Sequence, residues 1–221
     1  MKAKKGRGTG LLLNNSGFTL IEMAIVLIII GIIIGAVVKG KDLVRSAEQK
    51  KIYSKFLNEW RTAYLNFYDR TGKILGDTYD GAAAGQDGKA DTSAGTGLTP
   101  TDPGRAALYD GPATGTAYRG LSQVGLTAPV TNTDNNWQYR YTDSCGGAHD
   151  VTIAFANDTT DNYNFMEITY IPTELAMALD TMIDGEADGQ NGDFLHGDGT
   201  NDWGTSPCAI AANRARWKMD F

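Results

Sequence analysis

The sequence predicts an α+β fold in which a long N-terminal helix, apolar in its first half and amphipathic in its second, packs on a C-terminal antiparallel β-sheet of about four strands. Three patterns carry this reading. Phe18 to Val38 is an almost wholly apolar run whose one ionisable side chain is Glu22. Immediately beyond it, Tyr53, Phe56, Leu57, Trp60, Ala63, Tyr64 and Phe67 recur at three- and four-residue intervals, the period of one helix face. Further on, several short stretches alternate apolar and polar residues, the period of a half-buried strand.

The apolar run comes first in the chain and constrains the rest. At about 1.5 Å per residue a helix over 18–38 measures roughly 31 Å, which matches the hydrocarbon core of a bilayer. A carboxylate one turn inside such a helix costs about 2.5 to 3.5 kcal/mol on insertion scales and normally faces a partner. Glu22 therefore calls for a cation. The leader carries Lys2, Lys4, Lys5 and Arg7 and ends in Gly17. Cleavage after Gly17 would create an ammonium at Phe18, one helical turn from Glu22. The two charges can meet within one chain or between neighbouring chains stacked with an axial offset, and spacing alone leaves both open.

A basic leader, then Gly17, Phe18, Thr19, Leu20, Ile21, Glu22 and about sixteen apolar residues, resembles the class III signal of type IV pilins and type II secretion pseudopilins. The resemblance implies a type IV pilin-like fold, cleavage between Gly17 and Phe18 by a membrane prepilin peptidase, N-methylation of Phe18, and use of Phe18 and Glu22 in assembly. It also implies an inner-membrane assembly platform as partner. The precursor would be a single-pass inner-membrane protein with its leader inside and its head extracytoplasmic, and the filament would stand in the periplasm or on the cell surface. An ordinary secretory signal has a shorter core, roughly 7 to 15 residues, ending at a small-residue site. A plain single-pass anchor fits the length but explains neither Glu22 nor the glycine before Phe18.

With 221 residues and a formal charge of −6, the chain has room for one spanning helix and one globular head. The expected division is leader 1–17, membrane or filament-core helix 18–38, amphipathic helix 39–71 and head 72–221. Loss of the four leader cations moves the charge from −6 to −10, which argues against nucleic-acid binding. Lys39, Lys41, Arg45, Lys50 and Lys51 follow the span, so basic residues flank it on both sides and do not orient it.

A nearly continuous helix from Phe18 to about Arg70 would be about 80 Å long. Gly31, Gly35 and Gly40 each weaken it by roughly 1 kcal/mol, so a bend or melt is expected between Gly31 and Gly40. Gly31 and Gly35 also form a GxxxG pair, which permits close approach of a second membrane helix. The aromatic stripe reads as a core face against the sheet. Gly72 is the expected stop. From Gly76 to Ala117 the chain is rich in Gly, Ala, Thr and Asp and reads as a surface excursion, crossed by a short helical piece around Arg105 to Tyr109. Tyr118 to Leu126 reads as a short helix or turn carrying Leu121 and Val124 inward. The LGD after the long helix and GLSQVGL before the sheet resemble a pilin-like subgroup with a PGD turn and an L-x-x-A-G-L helix, Leu75 standing for the proline and Val124 for the alanine.

Strands are expected where Trp137, Tyr139 and Tyr141 alternate with polar residues, at Val151, Ile153 and Phe155, over Asn164 to Ile171, and at the C-terminus with Trp217, Met219 and Phe221 on one face. Between the third and fourth, Pro172 and Thr173 open a helix with Leu175, Leu179, Met182 and Ile183 on one side, ended by Gly185. A glycine-rich acidic stretch follows. Asp184, Glu186, Asp188 and Asp193 offer the hard oxygen donors that calcium takes. The stretch resembles the first half of an EF-hand loop but has Leu195 where the bidentate glutamate would stand. It also resembles the subgroup's LDxxxDDGxxxxG element, and some pseudopilins hold calcium in a comparable late loop. Ca2+ is thus the one cofactor expected, and the plain alternative is a solvated acidic loop.

Cys145 and Cys208 are the only cysteines. They are candidates for a disulfide, with a metal site using Cys145, His149, His196 and Cys208 as the alternative, although structural zinc usually shows tighter paired spacing. No nucleophile is arranged with a base, and GxSxG, HExxH and phosphate-loop motifs are missing, so no catalysis is expected. Two classes of function stand. One is a structural subunit of a type IV pilus, with roles such as cell adhesion by the fimbrium, or of a type II secretion pseudopilus. The other is a membrane-tethered extracytoplasmic binding module that does not polymerise.

Overall fold

The computed structural model describes residues 17–77, 88–90, 108–110, 120–158, 160–197, 199–210 and 214–219. The leader before Gly17, nearly all of the expected surface excursion and Phe221 lie outside them. The chain divides into two compact units, one running to Ser46 and one from Ala47 onward.

Helix α1 spans Leu20–Ile52, and none of its side chains from Leu20 to Val44 is buried. Of the bend or melt expected between Gly31 and Gly40, the melt does not occur, because the backbone is helical throughout. Glycine lowers helix stability but keeps its N–H, so the ladder of backbone bonds is uninterrupted. The irregularity comes later, as a π turn over Tyr53–Leu57. It places Ser54 and Lys55 in solvent between buried Ile52 and buried Phe56 and Leu57. Helix α2, Asn58–Thr71, ends at Gly72, whose left-handed φ of 66° lets its N–H bond the Tyr68 carbonyl at 2.7 Å. This is the glycine stop the sequence predicts.

The sheet has five strands where about four were expected. They are β1 Gln138–Thr142, β2 Ala148–Asp158, β3 Tyr163–Thr169, β4 Phe194–His196 and β5 Ala215–Lys218, in spatial order β1-β2-β3-β5-β4. All neighbours are antiparallel. The additional strand is β4, formed by the far end of the acidic stretch. Phe194, Leu195 and His196 are too short a run to signal a strand, and the pairing with β5 makes them one. Helix α3, Thr173–Ile183, leads into that stretch. Leu175 and Leu179 are buried and Met182 and Ile183 half-buried, as the pattern requires.

The core lies between the helix after Ala47 and one face of the sheet. Ile52, Phe56, Leu57, Trp60, Ala63, Tyr64 and Phe67 meet Tyr139, Tyr141, Val151, Ile153, Phe155, Met166, Ile168 and Trp217 in one buried cluster. Aromatic pairs join the layers, with ring centroids 4.8 Å apart for Tyr64 and Phe155 and 5.5 Å for Phe56 and Tyr139, inside the range of favourable ring contact. Trp60 also donates its indole N–H to the Asn136 carbonyl at 3.0 Å.

Two short motifs connect helix and sheet. At Leu75, Gly76 and Asp77 the chain turns so that buried Asp77 accepts the Gly88 N–H at 3.1 Å and bridges Ala90. Asn164 of β3 then accepts the Ala90 N–H and donates to the Gly88 carbonyl, each at 3.0 Å. The GLSQVGL stretch forms a 3-10 helix, Leu121–Val124, with Leu121 buried, and Arg70 of α2 donates to the Val124 carbonyl at 2.9 Å. Residues 108–110 are helical and overlap the end of the piece expected around Arg105 to Tyr109, the rest of which lies outside the described residues.

The edge strand β1 is blocked. Asn132 accepts the Arg140 N–H at 2.7 Å and donates to the Arg140 carbonyl at 2.8 Å. Thr133 donates to the Gln138 carbonyl at 3.0 Å. Side chains thus occupy the main-chain groups with which another strand would pair.

If the two-layer core holds the head, Trp60→Ala should cost about 3 to 5 kcal/mol, measured by urea unfolding of the full chain in detergent micelles. Thr62→Ala on the exposed side of the same helix should stay within about 0.5 kcal/mol. Equal effects would contradict the assigned burial.

Candidate functional site

Gly17, Phe18, Thr19 and Glu22 come together at the start of α1. Helix α1 begins at Leu20, so Thr19 is the residue that caps it and Glu22 lies in the first turn. The Thr19 N–H donates to Glu22 Oε2 at 2.8 Å, and the Thr19 hydroxyl donates to the same oxygen at 2.7 Å. The Glu22 N–H in turn donates to Thr19 Oγ1 at 3.3 Å. This is a capping box, in which side chain and backbone each satisfy an otherwise unpaired donor at the helix start. A carboxylate here also meets the positive end of the helix dipole.

Thr19 is the functional residue that the sequence reading missed. Its signal was present, since Thr-x-x-Glu before an apolar run is a capping signature. The Glu22 carboxylate meets neutral donors within its own turn, the Thr19 N–H and hydroxyl. Phe18 itself is 80% exposed.

The acidic stretch after α3 is organised around two carboxylates. Asp180 is fully buried, and its Oδ2 accepts the Gly189 N–H at 3.0 Å and the Trp203 indole N–H at 2.6 Å. Asp184 accepts the Asp193 N–H at 3.1 Å and the Phe194 N–H at 2.8 Å. A side chain at Gly192 would strike the Asp184 carboxylate. Asp188 closes a smaller turn by accepting the Gln190 and Asn191 N–H groups, both at 3.0 Å. Glu186 and Asp193 point to solvent. Of the expected calcium donors, Asp184 and Asp193 thus meet through a carboxylate and a backbone N–H, and Asp188 serves its own turn. Among the described residues these carboxylates do not gather three ligand oxygens at one point.

Burial pushes the Asp180 carboxyl above its ordinary range, against the pull of the Trp203 and Gly189 donors, with Asp184 and Asp188 adding repulsion. Asp188 is held below its usual range by its bonds to Asn191 and Gln190.

The cysteine pair forms the expected disulfide, Cys145–Cys208, linking the β1–β2 turn to the segment before β5. With both sulfurs so engaged, the alternative quartet does not assemble. His149 sits 2.7 Å from Asp143, while His196 packs edge-on to Trp203 with centroids 5.2 Å apart. The bond from His149 holds the Asp143 carboxyl below its ordinary range, assisted by the Gly147 and Cys145 N–H groups.

A carboxyl raised on folding contributes stability below its ordinary pKa of about 4, and that contribution is lost as pH rises through the folded value. Asp180→Asn keeps an acceptor for Trp203 and Gly189 and removes the charge. It should match the wild type in acid and equal or exceed it in melting temperature near neutrality. Asp180→Ala, which strands two buried donors, should lose about 1 to 3 kcal/mol. Thermal melts across pH test this, and an Asn variant as unstable as the Ala variant at neutral pH would contradict it.

No curated protein and no solved structure matches the chain. The model of the prokaryotic N-terminal methylation motif matches residues 12–38, which covers Gly17, Phe18, the Thr19–Glu22 capping box and the apolar half of α1. With the α+β head described above, these residues make the N-terminus of this chain the class III signal peptide of type IV pilins and pseudopilins, set before a type IV pilin-like fold.

Proposed function

We propose that this protein is a structural subunit of a type IV pilus or type II secretion pseudopilus, made as a prepilin and polymerised through its N-terminal helix. Prepilin peptidase cuts between Gly17 and Phe18, and the new amine of Phe18 is methylated. Before assembly the chain is held in the inner membrane by residues 18–38 with its head outside the cytoplasm. At the assembly platform it joins copies of itself or related subunits.

The observation that carries this reading is the N-terminal methylation motif running directly into an apolar helix with no buried side chain between Leu20 and Val44. A surface of that kind needs lipid or other helices to cover it. Glu22 supports the second cover. A carboxylate that needed only to survive in lipid would be better replaced by leucine, whereas one oxygen satisfied by Thr19 leaves the other for the Phe18 ammonium of an adjacent subunit. The blocked edge at β1 supports the same reading, since copies joining there by strand addition would first have to displace Asn132. Hydrogen bonds and a disulfide account for the grouped carboxylates and cysteines, and the motif is that of a structural protein.

Glu22→Leu tests the proposal. The variant should be processed and should accumulate in the membrane at the wild-type level, while its recovery in sheared or cross-linked filaments falls at least about tenfold. Variant recovery equal to a substantial wild-type recovery would remove Glu22 from assembly, and absence of the wild-type chain itself from sheared and cross-linked filaments would leave a tethered module that does not polymerise.

A further inference from the structure

We propose that the Cys145–Cys208 disulfide is a thiol-exchange site, opened by attack of a thiolate on Cys145 with Cys208 as the leaving group. Three observations lead there. First, the bond lies at the surface. Cys145 is exposed and Cys208 half-buried, so an incoming thiolate meets Cys145 first, and access is one of the terms that set exchange rates.

Second, the two sulfurs have different neighbours. Ser144 Oγ lies 3.3 Å from Cys208 Sγ. A disulfide sulfur carries no hydrogen, so the serine hydroxyl is the donor. That bond strengthens as negative charge develops on Cys208, which makes it the better leaving group. The Asp143 carboxylate lies within 4.8 Å of both sulfurs. Its charge is engaged by His149 at 2.7 Å and by the N–H groups of Cys145 and Gly147 at 2.9 and 2.7 Å.

Third, the parts joined by the bond are held in place without it. The Glu174 N–H donates to the Pro207 carbonyl at 2.9 Å and the Thr173 N–H to the Ala209 carbonyl at 3.2 Å, tying the Cys208 segment to the start of α3. On the other side, Glu174 Oε1 accepts the Ser144 N–H at 2.9 Å and the Tyr141 hydroxyl at 2.8 Å. The Cys145 turn and the Cys208 segment therefore hang on the same helix start, and the disulfide can open while the fold stays closed.

The step balances without an external oxidant. The thiolate sulfur bonds to Cys145 Sγ, the Cys145–Cys208 bond breaks, and its electron pair leaves on Cys208 as a thiolate that accepts the Ser144 hydrogen bond. The product is a mixed disulfide at Cys145 and one free thiol. The matching ligand class is a thiol, and glutathione is the probe.

The test incubates the oxidised full chain in detergent micelles with reduced glutathione, without denaturant, and maps adducts by peptide mass spectrometry after acid quench. The expected result is glutathione on Cys145, a free thiol at Cys208 and an unchanged near-ultraviolet circular dichroism spectrum. Ser144→Ala should slow adduct formation roughly tenfold, since a hydrogen bond to a charged group is worth about 1.5 kcal/mol or more. Its side chain is exposed and its backbone bond to Glu174 survives the change, so the variant keeps the fold. Adducts that form only in denaturant, adducts mainly on Cys208, or a Ser144→Ala rate equal to wild type would each overturn the assignment.

Discussion

The constraint on which the rest depends is the uncovered apolar surface of α1. From Leu20 to Val44 every side chain is exposed, and the helix is long and apolar enough to cross a membrane. Water is a poor solvent for this surface at about 25 cal/mol per Å² of apolar area. Lipid and neighbouring helices are both good ones, and the transfer from one to the other is nearly free of a hydrophobic term because lipid tails are as apolar as leucine. Specificity between those two covers comes from packing, where Gly31 and Gly35 permit close approach of a second helix, and from polar groups at the start of the run. Thr19 and Glu22 supply those groups, and their mutual hydrogen bonds offset the cost of a carboxylate at the helix start.

The head solves a different problem, which is to hold long irregular segments on a small sheet. It does so with side chains that stand in for strands. Asn132 occupies the β1 edge, Asn164 holds the segment at 88–90, and Asp180 and Asp184 gather the N–H groups of the loop that leads into β4. Backbone donors left unpaired by irregular structure carry a cost comparable to a lost hydrogen bond, and acidic residues placed at the end of α3 remove it. Lys218 completes the closure by donating its Nζ to the Gly192 carbonyl at 2.8 Å.

The parts legible in the sequence were those with a period. The spanning run, the aromatic stripe of α2, the strands around Tyr139, Ile153 and Met166 and the buried side of α3 all follow from repetition at 3.6 or 2 residues. The parts that were not legible depend on contacts far apart in the chain. Strand β4 exists because Phe194 and His196 pair with Trp217 and Ala215, a match of three residues that no local pattern announces. The internal bonding of the acidic stretch is not legible from its composition, because Asp180 and Asp184 face backbone N–H groups brought to them by the fold. The glycines of α1 were read as a weak point because propensity is summed residue by residue, and an intact ladder of hydrogen bonds absorbs that cost. Thr19 is legible as the first residue of a Thr-x-x-Glu capping signature.

The central claim is that this chain is cut before Phe18 and carried out of the membrane as part of a filament. Quantitative mass spectrometry of the N-terminal peptide, in sheared filaments beside membranes, tests it most directly. The account predicts a peptide beginning at methylated Phe18, enriched in the sheared or assembled fraction relative to unassembled membrane protein. A peptide spanning Gly17 and Phe18 intact in both fractions would contradict it.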